Sequence, residues 1–147
     1  MSIFRPAEIR LPEDKDIDKW PVIACDQFSS QPEYWDAVKK SVGDAPSTLN
    51  IIFPEIYLGQ DDEKRIASIN SRMEEYLKDI LTNIYEDSFV YVERTLEDGS
   101  VRMGVVGMID LNYYSYQSNA VSAIRASERT ILERIPPRMN IRRGAGL

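Results

Sequence analysis

Asp61-Asp62-Glu63-Lys64-Arg65-Ile66-Ala67-Ser68-Ile69-Asn70-Ser71-Arg72-Met73-Glu74-Glu75-Tyr76-Leu77-Lys78-Asp79-Ile80-Leu81 is the stretch on which the reading of the fold turns. Ile66, Ile69, Met73, Tyr76, Leu77, Ile80, Leu81 and, beyond them, Ile84 recur at spacings of three and four. That period lines them up along one stripe of an α-helix. Asp61, Asp62 and Glu63 stand at its start, where exposed backbone amides favour negative charge. The spacing predicts an amphipathic helix from Asp61 to about Ile84, packed on an apolar layer.

On the C-terminal side, Ser88-Phe89-Val90-Tyr91-Val92-Glu93-Arg94-Thr95-Leu96 and Val101-Arg102-Met103-Gly104-Val105-Val106-Gly107-Met108-Ile109 flank Glu97-Asp98-Gly99-Ser100. Asp-Gly is a favoured pair for a type I′ turn. A turn on Asp98-Gly99 sets Val92 opposite Val105 and Thr95 opposite Arg102. Val90, Val92, Leu96, Val101, Met103 and Val105 then form a core face, with Tyr91, Glu93, Thr95 and Arg102 opposite. Gly104 and Gly107 thin the second strand and mark a bulge or a close approach of other backbone.

On the N-terminal side, Thr48-Leu49-Asn50-Ile51-Ile52-Phe53 reads as a strand stopped by Pro54, and Trp20-Pro21-Val22-Ile23-Ala24-Cys25-Asp26 as a buried strand opening into a loop. Between them a helix starts at Ser30 or Gln31, with Pro32 in its first turn, and ends at Gly43. The opening Ile3 to Trp20, with Pro6 and Pro12, reads as an extended and solvated lead-in. Strands alternating with helices, followed by a hairpin, predict an α/β fold, with α+β also open. Its expected form is a single domain over residues 1–147, a mixed sheet with a β-hairpin and one long amphipathic helix packed on it.

Composition narrows the function. The chain has 147 residues, a net charge of −6, no histidine and one cysteine. Without histidine there is no Ser-His-Asp or Cys-His constellation and no His-ligated zinc or iron within this sequence. A single cysteine builds neither a disulfide nor a thiolate zinc site. Any metal would be a hard cation such as magnesium, held by oxygens. The acidic balance argues against nucleic acid and anionic membrane as partners. No apolar run spans a bilayer, and the start lacks the apolar core of a secretory signal. A cytoplasmic home is expected.

The charge is not evenly spread. The last 28 residues hold six arginines, no lysine and only two acids, whereas residues 1–119 hold 12 basic against 22 acidic side chains. Two readings of Ser118 to Arg138 are open. In one, Val121, Ile124, Ile131, Leu132 and Ile135 form a helical stripe, Arg125/Arg129 and Arg129/Glu133 are i,i+4 neighbours on a solvated face, and Pro136-Pro137 end the helix. In the other, Arg125, Arg134 and Arg138 hold an oxyanion and Ser127 and Thr130 add hydroxyl donors. The missing lysines favour the second, because a guanidinium grips a carboxylate or phosphate through two parallel bonds. Asp26, at the end of its expected strand, caps a turn or serves as a base or magnesium ligand. Glu128 orients an arginine or acts as a base. Cys25 reads as a small core residue, and Tyr113, Tyr114 and Tyr116 as a polar aromatic loop.

Five blocks carry a resemblance: Val22-Ile23-Ala24-Cys25-Asp26-Gln27-Phe28, Pro32-Glu33-Tyr34-Trp35, Pro46-Ser47-Thr48-Leu49 with Phe53-Pro54-Glu55-Ile56-Tyr57-Leu58, Val92-Glu93-Arg94-Thr95, and Leu132-Glu133-Arg134-Ile135-Pro136-Pro137-Arg138. In these blocks the chain resembles the bacterial family called domain of unknown function 1015, from about Ala7 to Arg138. The resemblance implies the N-terminal part of a longer protein. The expected function is an enzyme domain that binds or acts on a phosphorylated or carboxylated small metabolite. Arg125, Ser127, Thr130, Arg134 and Arg138 would be its ligand-binding residues, and Asp26 and Glu128 its catalytic ones. The alternative is a non-catalytic ligand-sensing or protein-interaction module.

Overall fold

The structure is a computed structural model and describes residues 3–13, 17–115, 117, 121–125 and 131–144. In chain order the elements are β1 (Phe4–Arg5), β2 (Ala7–Leu11), α1 (Pro32–Val42), α2 (Asp62–Asp79), β3 (Asn83–Ser88), β4 (Val90–Thr95), β5 (Val101–Val106), β6 (Met108–Ile109), β7 (Tyr114–Ser115), β8 (Ile124–Arg125) and α3 (Ile135–Gly144). The fold is therefore mixed α and β. The strands pair antiparallel in β1/β6 and β4/β5 and parallel in β7/β8, and β2 pairs with β3. The chain divides into two compact units, Met1–Arg10 with Ile84–Arg129, and Leu11–Asn83 with Thr130–Leu147.

The second unit is built on helices. α1 opens with Pro32, which needs no N–H there, and closes on Gly43 at φ 58, whose N–H reaches Lys39 O at 2.9 Å. It buries Trp35 completely, and the indole Nε1 donates to Phe28 O at 3.2 Å. α2 is the expected amphipathic helix. Asp62 Oδ1 accepts the N–H groups of Gly59 and Gln60 at 2.7 and 3.1 Å and so ties the entry loop to the first turn. Ile69 and Tyr76 are buried, with Ile66, Met73, Leu77 and Ile80 half-buried beside them. The helix meets α3 and the segment Thr48–Ile51. It stops at Asp79, short of Ile84, because the N–H groups of both Ile80 and Leu81 fall on Tyr76 O, at 3.0 and 2.6 Å, and the chain turns into β3.

Two expected strands are not strands. Thr48–Ile51 is a 3-10 turn, with Ser47 Oγ accepting Leu49 N at 3.2 Å. Asn50 Nδ2 donates to Tyr76 Oη at 2.8 Å, and Ser47 N donates to the same oxygen at 3.1 Å. Ser and Asn side chains thus satisfy local backbone and a buried tyrosine in place of a ladder. Residues 20–26 are likewise irregular. Gln27 N closes a turn on Ala24 O at 3.0 Å, and Thr48 N and Glu55 N take Trp20 O and Cys25 O at 3.1 and 2.8 Å. Nor is the run buried as expected: Trp20, Val22 and Cys25 are half-buried and Ile23, Ala24 and Asp26 exposed, so a short apolar run by itself fixes neither a strand nor a core position.

The first unit is built on backbone ladders. The β4/β5 hairpin forms where expected, with a register one residue away from the type I′ pairing. Tyr91 faces Val105, Val92 faces Gly104, Glu93 faces Met103, Arg94 faces Arg102 and Thr95 faces Val101. The cause is the turn. Gly99 N donates to Leu96 O at 2.9 Å, Leu96 N to Ser100 O at 2.8 Å, and Gly99 sits at φ 81. This is a three-residue loop, a turn followed by a left-handed glycine. One residue of slip exchanges the faces, so Tyr91, Glu93 and Thr95 share a face with Val101, Met103 and Val105. Gly107 does mark a close approach, since a Cβ there would lie 2.6 Å from Arg5 O and 2.8 Å from the Phe89 ring.

Candidate functional site

The cluster that gathers two of the expected arginines is in the second unit. Pro54 leads into the 3-10 turn Glu55–Tyr57, and Glu55 N–H is anchored on Cys25 O at 2.8 Å. The Glu55 side chain is only 5 % exposed. At the other end of the sequence, Leu132–Arg134 forms a 3-10 turn that runs directly into α3. Pro136 and Pro137 occupy the first turn of α3, where a missing N–H costs nothing. They begin this helix rather than end one, and no helix runs through Ile124–Arg125, which form β8. Arg134 and Arg138 stand four residues apart across the helix start, on the same side.

Both guanidinium groups meet the Glu55 carboxylate. Arg138 Nη2 donates to Oε1 at 2.8 Å. Arg134 Nη1 lies 2.6 Å from Oε2, yet Oε2 accepts no well-directed hydrogen bond. The Arg134 contact is therefore chiefly coulombic. Two guanidinium groups on one carboxylate leave a surplus of one positive charge. The arginine side chains remain 38 % and 53 % exposed, so the anion is buried while the cations keep a solvent edge. The cavity enclosed by Phe53, Glu55, Leu58, Arg134, Pro137 and Arg138 measures about 10 Å³, room for no more than one water molecule. Any larger ligand must approach the outer edges.

Asp26 lies in the turn after Ala24, exposed, with Gln27 Nε2 3.4 Å from its Oδ1. It is one residue from Cys25, whose carbonyl holds Glu55. Phe28, two residues on, has φ 51, a costly conformation for a bulky side chain. Its carbonyl accepts from Gln31 N and Trp35 Nε1 at 3.1 and 3.2 Å, and its ring stacks on Tyr34 at 4.1 Å. Those contacts hold the strained loop in place. Arg125 is exposed in β8 of the first unit, beside Ser115 in the β7/β8 ladder. Ser127, Glu128 and Thr130 lie outside the described residues. Among the described residues no group of three or more acids or cysteines is placed to hold a metal ion.

Glu55 is the member of this cluster that sequence reasoning passed over. The signal was present as an arginine excess with too few acids nearby, and an acid enclosed by Phe53, Pro54 and Ile56. Spacing arguments pair an arginine with its i±4 neighbours and do not reach an acid 83 residues away.

The cluster joins two of the sequence blocks quoted above, Phe53-Pro54-Glu55 and Leu132 to Arg138. Compared with curated proteins and with solved structures, the chain has no match. A family model described as protein of unknown function (DUF1015) matches residues 4–147. With nearly its whole length covered, the chain belongs to the DUF1015 family.

Proposed function

We propose that the second unit binds a carboxylated or phosphorylated small molecule at the outer edges of Arg134 and Arg138, as part of a bacterial cytoplasmic enzyme. The observation that carries this reading is the Glu55 clamp. A buried carboxylate holds two guanidinium groups side by side, leaves one net positive charge, and lets both keep solvent-facing donors. Arginine forks prepared in this way lose little conformational freedom on taking a second anion. Asp26, on the loop tied to Glu55 through Cys25, is then the candidate proton carrier or magnesium ligand. The net charge of −6 argues against nucleic acid and anionic membrane as partners. Among the described residues no helix is long and apolar enough to cross a membrane.

Thermal unfolding with inorganic phosphate, 3-phosphoglycerate or citrate, against sodium chloride at equal ionic strength, tests the proposal. A saturable rise in Tm is expected for the wild type and its loss in Arg138→Gln, which leaves Arg134 to neutralise Glu55. The absence of a rise, or an equal rise in the variant, would overturn it. The alternative, a protein-interaction module, draws on a different observation. Tyr91, Met103 and Val105 of the hairpin are 60, 72 and 56 % exposed on one face. Concentration-dependent association in sedimentation, removed by Met103→Lys, would favour it.

A further inference from the structure

The two oxygens of the Glu55 carboxylate are not served alike. Oε1 takes a proton from Arg138 Nη2 at 2.8 Å. Oε2 is buried and accepts no directed hydrogen bond among the described residues, although Arg134 Nη1 lies 2.6 Å away. A buried acceptor left open is costly, the more so when it is ionised. The side chains around it hold no remedy. Glu55, Arg134 and Arg138 line the cavity of about 10 Å³ together with Phe53, Leu58 and Pro137, and those three carry no side-chain donor. Both guanidinium groups already face the carboxylate. The donor that Oε2 lacks is therefore a group that enters the cavity, and the volume limits it to the size of one water molecule.

The walls are set before any ligand arrives. Leu58 N closes the 3-10 turn on Glu55 O at 3.1 Å, Glu55 N is tied to Cys25 O at 2.8 Å, and Pro137 sits in the first turn of α3. A preformed cavity takes a polar group at little cost in ordering.

Charge selects the group. Two guanidinium groups against one carboxylate leave a surplus positive charge, which repels an ammonium. A hydroxyl is neutral, is the size of a water and brings the missing O–H, and a bond from O–H to an ionised oxygen is one of the stronger kinds. We infer that the ligand of this site is a hydroxy acid. Its anionic group lies on the outer edges of Arg134 and Arg138, and the hydroxyl beside it enters the cavity and donates to Glu55 Oε2. The inference rests on the anion site proposed above and narrows its ligands to those with a hydroxyl next to the charge.

Isothermal titration calorimetry of the full chain with malate, succinate and aspartate at equal ionic strength is the test. The three differ in carrying a hydroxyl, a hydrogen or an ammonium at one carbon. Malate should bind about tenfold more tightly than succinate, the size of effect expected for one hydrogen bond to a charged group. Aspartate should bind more weakly than malate. Leu58→Phe, which fills the cavity, should close the gap between malate and succinate, with far-UV circular dichroism confirming its fold. If that variant does not fold, the wild-type comparison decides alone. Equal binding of malate and succinate would overturn the hydroxyl contact and leave the anion site standing. A malate preference that survives in folded Leu58→Phe would overturn the place given to the hydroxyl, and aspartate binding as tightly as malate would overturn the choice of a neutral group. Binding of none of the three would overturn the inference, and the anion site with it if inorganic phosphate also fails to bind.

Discussion

The two units solve the same problem in opposite ways. In the second, side chains do the building: Trp35, Val42, Phe53, Ile69, Tyr76 and Leu81 are buried, together with Ser47 and Glu55. In the first, backbone does it. The β4/β5 ladder is fully in register, while every residue of both strands except Val90 is exposed. Hydrogen bonds specify where a ladder goes but contribute little net stability each. Apolar burial contributes more. The difference teaches that a well-formed sheet and a stable core are separate achievements, and that here they sit in separate parts of one chain.

The largest expected effect tests that division directly. Trp35→Ala should cost about 3–5 kcal/mol, as for other large-to-small core changes. Met103→Ala should stay within about 0.5 kcal/mol. Urea unfolding of both variants measures the gap, and equal losses would break the contrast. Next comes the charged cluster. Replacing Arg134 and Arg138 together by alanine leaves Glu55 buried and unpaired, at a cost of about 2–3 kcal/mol, discounted from a fully buried pair because the guanidinium groups are part-exposed. Adding Glu55→Gln to that variant should restore most of the loss. If it restores none, the arginines act through packing alone.

The smallest effect belongs to the hairpin turn. Asp98 Oδ1 accepts Ser100 Oγ at 2.6 Å and Ser100 N at 2.9 Å. These bonds, the hydroxyl first, hold the Asp98 carboxyl below its usual range. A carboxyl depressed in the folded state lends stability above its unfolded pKa, and that stability is lost as pH falls through the folded value. Ser100→Ala should raise the Asp98 pKa in an NMR titration and flatten the acid dependence of amide protection in β4 and β5. An unchanged titration would show that the backbone N–H alone sets it.

Much of this was legible in the sequence. The 3.6-residue period gave α2 its face, and Pro32 and Gly43 bracketed α1. Asp98-Gly99 located the hairpin, although the same two residues serve a two-residue or a three-residue loop, and that choice decides which side chains share a face. Thr48 to Phe53 has strand composition. What prevails is Ser47 and Asn50 bonding to Tyr76, a partner 26 residues beyond Asn50. Pro136-Pro137 read as a helix stop and are a helix start, since proline permits both boundaries. In the site, the arginines were visible and their shared carboxylate was not. Charge composition shows an excess, and only folding shows which distant acid absorbs it.

Arg94 directly opposite Arg102 carries one more consequence. Like charges on facing rungs push the strands apart, and neither has a carboxylate partner among the described residues. Added electrolyte screens exposed charges and leaves buried ones largely untouched. The hairpin is therefore a part of the molecule that tightens as ionic strength rises, while the ion pairs on the enclosed carboxylate of Glu55, with their part-exposed guanidinium groups, loosen slightly.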